Sequence, residues 1–156
     1  MDAVTYPEKL VADTITERFV PVQVNTQEDW GKPVVERFRQ AWTPDLRVLG
    51  PDAFEYYLWN GYLPPFEFVP QLLVGQGQAL LRMDDLSGAA GVFKEVGRRF
   101  PTSAVAAEAL YYHAVSRYKA SHEANDLWGA KGWRALQTRY PESIWRIKQS
   151  FGEDKS

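Results

Sequence analysis

The sequence predicts an α/β chain in two parts: residues 1–75 with a small sheet, its strands at about 20–25, 45–49 and 54–59, and residues 76–156 with helices alone. Three observations lead there. Across the first part the spacing of apolar residues switches from a period near 3.6 to a period of 2 and back, the pattern of helices interleaved with strands. Two turn signals, Thr43-Pro44 and Gly50-Pro51-Asp52, bracket the second strand. In the second part Arg99-Phe100-Pro101-Thr102-Ser103 recurs as Arg139-Tyr140-Pro141-Glu142-Ser143, displaced by 40 residues, which marks an internal repeat.

The elements follow in order. Pro7 suits a first helical turn, and Leu10, Val11, Ile15 and Phe19 follow at helical spacing. Val20, Val22 and Val24 alternate with other residues up to Asn25, so a strand is expected over residues 20–25. Trp30, Val34, Val35, Phe38 and Trp42 return to the helical period, and Lys32-Pro33 fits a helix entrance, so a second helix is expected over about residues 33–40. Asp45 to Leu49 and Phe54 to Trp59, separated by Gly50-Pro51-Asp52, read as an antiparallel hairpin closed by Asn60-Gly61. A long helix entered through Pro64-Pro65 and reaching Met83 is shared by the two parts, with Gly75-Gln76-Gly77 expected as a flexible or kinked joint.

In the second part Leu86, Ala90, Phe93 and Val96 make one apolar face, and Asp84-Asp85 sits where a helix N-cap accepts from free backbone N–H groups. The 40-residue shift places Ala90 on Ala130, Phe93 on Trp133 and Val96 on Leu136, so the register is expected to hold through the helix before each Arg-aromatic-Pro. Ala106, Ala107, Leu110, Tyr111, Ala114, Val115 and Tyr118 place a further helix over residues 104–119.

Trp42-Thr43-Pro44 immediately before the hairpin and Gly61-Tyr62-Leu63-Pro64-Pro65 immediately after it complete an order that resembles the C-terminal three quarters of a thioredoxin-like domain, over residues 1 to about 75. Met1-Asp2-Ala3-Val4-Thr5-Tyr6-Pro7 looks like the middle of that family's active-site helix. The resemblance implies a cis bond before Pro44 and makes Trp42, Thr43 and Pro44 the candidate peptide-binding corner. It also implies an inner strand and a Cys-x-x-Cys ahead of Met1, whereas the chain contains no cysteine. Without that inner strand the two flanking strands of the chain as written are expected to pair directly in a three-stranded sheet, and for the natural gene a start codon assigned too late is expected; a strand donated by another copy or protein is the alternative. The helical part resembles a tetratricopeptide repeat, although its period exceeds the roughly 34 residues of that family.

At 45% hydrophobic and 24% charged residues the composition is globular, and a formal charge of -2 gives no pull toward nucleic acid or an anionic membrane. No apolar run approaches the roughly 20 residues that span a bilayer, and no secretory signal is evident, so a cytoplasmic location is expected. The absence of cysteine removes thiolate catalysis and cysteine-ligated metal from the chain as written. His113 and His122 have no partner at ligand or relay spacing, and structural or surface roles are expected of both. No catalytic residue, metal or cofactor is assigned. Six tryptophans must in part serve the core of so small a chain, and packing is the commoner fate for Trp30 and Trp42, although exposed they would suit peptide binding. Two classes of function are left. One is a redox-inactive thioredoxin-like module that binds a protein or peptide partner, or a second copy through unpaired strand edges; the other is a thiol-disulfide oxidoreductase whose Cys-x-x-Cys lies upstream of Met1.

Overall fold

The computed structural model describes Met1 and residues 3–151. Its elements are α1 (Lys9–Arg18), a 3-10 turn (Asp29–Gly31), α2 (Lys32–Phe38), β1 (Asp45–Leu49), β2 (Glu55–Asn60), α3 (Pro65–Arg82), α4 (Leu86–Arg99), α5 (Ala106–Ser121), α6 (Ala124–Trp128), α7 (Arg134–Arg139) and α8 (Ile144–Gln149). The chain is mixed α/β and mostly helical, with one antiparallel sheet of order β1-β2. β1 occupies the residues expected of it, and β2 is displaced by one residue from residues 54–59. The hairpin closes through Gly50 N–H donating to the Phe54 carbonyl at 2.9 Å, and Asp52 Oδ1 accepts from the Phe54 N–H at 3.1 Å.

The strand expected over residues 20–25 does not form, so the sheet has two strands rather than three. These residues carry no regular structure, and Val20 and Val22 are 90% and 80% exposed. Alternating β-branched residues make a strand only where a neighbour takes up their backbone N–H and C=O groups. No such neighbour lies among the described residues, and Pro21 has no N–H to give to a ladder.

By compactness the chain divides into two units, Met1–Arg47 with Leu58–Val69, and Val48–Tyr57 with the chain from Pro70 onward. The division passes through both strands and through α3. That helix runs unbroken through Pro70, Gly75 and Gly77, so Gly75-Gln76-Gly77 is helix interior and not the joint its composition suggested.

In the first unit Val11, Phe68 and Val69 are buried, and the Phe68 ring takes edge contacts from Tyr6 at 5.7 Å and Trp59 at 5.8 Å. Thr5 is also buried and its hydroxyl donates to the Leu63 carbonyl at 2.9 Å. α2 ends with Arg39 in the left-handed region, and Arg47 covers that end by donating to the Phe38 carbonyl at 3.1 Å. The same guanidinium grips Asp45 through two bonds of 2.7 and 2.9 Å, a fork that fixes its plane above the Phe38 ring.

In the second unit α4 and α5 form the most extensive helix pair. Asp85 caps α4 by accepting from Gly88 N–H at 2.9 Å, as the sequence suggested. The 40-residue repeat is a repeat of bonds. Phe100 and Tyr140 end α4 and α7 with nearly the same backbone angles, and their N–H groups reach the Val96 and Leu136 carbonyls at 2.8 and 2.9 Å. The Ser103 and Ser143 N–H groups both return 3.1 Å to those aromatic residues' carbonyls, and each serine Oγ accepts from the N–H two residues on. Phe93 and Val96, and their counterparts Trp133 and Leu136, are all buried. Upstream the register lapses: α4 has 14 residues but α7 only 6, because the chain breaks into a turn where Trp133 N–H donates to the Leu127 carbonyl at 2.7 Å.

A Cβ built on Gly77 would stand 2.6 to 3.0 Å from three atoms of the Phe93 ring, and that ring is buried with no room to retreat. Gly77→Ala is therefore expected to lower stability by about 1–3 kcal/mol, overriding alanine's better helix propensity. Denaturant unfolding of the two proteins measures the difference, and a stabilised variant would contradict the packing described.

Candidate functional site

The expected corner, Trp42-Thr43-Pro44, lies between the end of α2 and the start of β1. The Thr43-Pro44 bond is cis, the isomer expected there, and the Pro44 carbonyl accepts from Gly61 N–H at 2.9 Å, which ties the corner to the far end of the hairpin. Thr43 is exposed and Trp42 is 71% exposed, while its carbonyl takes a long 3.4 Å bond from the Gln40 side chain. The expectation that Trp30 and Trp42 pack into the core is overturned: Trp30 is 54% exposed, its indole N–H donating to Glu28 Oε2 at 2.8 Å. The bonds near the corner from Gly61 N–H to the Pro44 carbonyl and within the Asp45–Arg47 fork involve neither indole.

His122 ends α5 in the left-handed region, with its N–H donating to the Tyr118 carbonyl at 2.7 Å, so its role there is a helix terminus. His113 lies on α5 with Nδ1 3.0 Å from the Ala90 carbonyl of α4. No group of three or more His, Asp or Glu side chains suited to a metal ion occurs among the described residues, and none of their helices is long and apolar enough to cross a membrane.

Sequence reasoning did not single out a half-buried polar cluster in the second unit. Tyr57 Oη lies 3.4 Å from both oxygens of the Glu108 carboxyl, Gln78 Nε2 donates to Glu108 at 3.3 Å, and Gln71 Nε2 donates to Tyr57 Oη at 2.9 Å. Arg82 is bonded to the Gln78 side chain and orients its amide. Burial pushes the Glu108 carboxyl above the usual carboxylate range; the bonds from Gln78 and Tyr57 and the charges of Lys148 and Arg82 oppose it. Burial also raises the Tyr57 phenol, and the Glu108 charge adds to it. The residues come from β2, α3 and α5, at sequence separations of up to 51, and no local spacing announces them.

Comparison with protein-family models, with curated proteins and with solved structures finds no match for the chain.

A carboxyl raised on folding binds its proton more tightly in the native state, so its contribution to stability is fullest below the ordinary carboxylate pKa and declines as pH rises through the raised one. Glu108→Gln is expected to flatten the fall in unfolding midpoint between about pH 4 and pH 7 relative to the wild type. Parallel pH profiles of the two proteins would show that the cluster carries no proton linkage.

Proposed function

We propose that this chain is a thioredoxin-like module without redox chemistry of its own, binding a protein or peptide partner at the corner of Trp42, Thr43 and Pro44, with the helices from α4 onward as a tetratricopeptide-like scaffold. The observation that carries the reading is the 71% exposure of Trp42 next to the exposed Thr43. Tryptophan is enriched among the residues that dominate binding energy, and an indole left in water gains most when a partner covers it. Trp30, Tyr62 and Phe66 of the same unit are also more than half exposed, so that unit shows more large apolar side chains than it buries. The outer edges of β1 and β2 are where a second copy would add a strand. The scaffold part of the reading is supported by the turn built twice, at Phe100 and at Tyr140. With no cysteine the chain supplies no thiolate.

Peptides selected from a random display library against the full chain should bind Trp42→Ala about tenfold more weakly, with the unfolding midpoint unchanged. Equal binding by the variant overturns the corner as the site.

A second reading, a thiol-disulfide oxidoreductase with its Cys-x-x-Cys upstream of Met1, is favoured by residues 20–25. They keep the composition of a strand while Val20 and Val22 stand in solvent, as they would where a further strand is to be added. A form extended by the upstream reading frame should then reduce insulin disulfides. Lack of a Cys-x-x-Cys in that frame removes this reading and leaves the first standing.

A further inference from the structure

Four basic side chains meet on the second unit. Lys94 on α4, His113 and Arg117 on α5, and Lys131 in the turn before α7 line a cavity of about 530 Å³ completed by Ala90 and Gly91. Among the described residues no acidic side chain lines it, in a chain whose net charge is -2, so the basic cluster is not the by-product of a basic protein. Arg117 is anchored by an ion pair to Asp126, whose other oxygen accepts from Ser121 Oγ at 2.6 Å. Lys94 and Lys131 have no ion pair or hydrogen bond among the described residues, and like charges brought together without a partner repel one another.

We propose that this cavity holds a dianionic oxyanion of the phosphate class, free or carried as an ester, between Lys94, Lys131 and Arg117. The charge count favours a dianion over a single carboxylate: three cations, one of them offset by Asp126, leave two positive charges to be met. Lysine ammonium groups serve as mobile point charges for phosphate, and a guanidinium engaged at one edge still has N–H donors to spare. The cavity exceeds the volume of one oxyanion, which leaves room for the organic part of an ester.

His113 tunes the site. The 3.0 Å contact with the Ala90 carbonyl requires a proton on Nδ1, so in the neutral ring Nε2 has no hydrogen to give and only the imidazolium adds a donor. Burial, then the charges of Arg117 and Lys94, push this imidazole below its ordinary value, against the Ala90 bond and Asp126; Lys131 adds a further positive charge to the same cavity. A bound anion reverses that balance, so binding takes up a proton and strengthens as pH falls.

Calorimetric titration of the full chain at low salt tests this with sodium sulfate, a dianion at both about pH 5.5 and about pH 7.5, with acetate as the single-charge control. Saturable sulfate binding is expected, roughly tenfold tighter than acetate and roughly tenfold weaker in the double variant Lys94→Ala, Lys131→Ala, whose ligand-free unfolding midpoint is no lower than the wild type's. No saturable binding, acetate binding as tight as sulfate, or affinity untouched by the double variant overturns the site. Sulfate should bind more tightly at the lower pH, and His113→Gln should abolish that difference; equal wild-type affinity at both pH values removes His113 from the proposal. O-phosphoserine binding more tightly than inorganic phosphate identifies an ester as the ligand, and equal affinities identify the free oxyanion.

Discussion

Two close backbone approaches along α3 set the spacing on which the second unit is built. A Cβ on Gly75 would lie 2.8 Å from Val48 Cγ2 and 3.1 Å from Tyr57 Cδ1, and one on Gly77 would lie 2.6 Å from the Phe93 ring. Residues two apart on an α-helix are turned by about 200°, so the two glycines thin the helix on nearly opposite flanks. One flank takes the tip of the β1-β2 hairpin and the other takes α4. That closeness brings the Tyr57 hydroxyl within reach of both Gln71 and Glu108, and it leaves Phe93 buried, with its ring stacked on Tyr112 at 5.8 Å. The polar cluster and the apolar core of this unit therefore share one geometric cause.

The later helices depend on aromatic packing for a different reason. α6, α7 and α8 have five, six and six residues, well short of the roughly 12–15 that an isolated helix needs to persist in water. They are held around Tyr111, whose ring stacks on Trp133 at 4.5 Å and meets Trp145 at 5.1 Å, while its carbonyl accepts from the Trp133 indole N–H at 3.1 Å. Trp128 packs edge-on against Trp133 at 4.8 Å and brings α6 into the same cluster. Three of the six tryptophans thus do for short helices what length and propensity do for α4 and α5.

The elements legible in the sequence are those whose signal is local. β1 and β2 are bounded by turn residues, α4 is capped by Asp85, and the repeat of Arg-aromatic-Pro is visible without any structure. Residues 20–25 misled because a strand is a property of two segments and only one can be read locally. Gly75 and Gly77 looked like a joint because glycine's use in close packing depends on what lies opposite, here Tyr57 and Phe93, which are 18 and 16 residues away. Trp30 and Trp42 illustrate a third limit, since hydrophobicity states what a side chain gains on burial and not whether anything in the chain covers it. The basic cavity was half visible: His113 and Arg117 are four apart on one helix, but Lys94 and Lys131 reach them from other elements.

At their aromatic position the two copies of the Arg-aromatic-Pro turn differ by one oxygen atom. The Tyr140 hydroxyl donates to the Pro101 carbonyl at 2.8 Å, linking the second copy to the first, while Phe100 has no hydroxyl with which to return the bond. The pair therefore has a direction. Duplicated segments that match perfectly can exchange places while the chain folds, a characteristic failure of repeat proteins. A bond that forms in only one order joins the other differences between the copies, Glu142 against Thr102 and a helix of 6 residues against one of 14, in telling the first from the second.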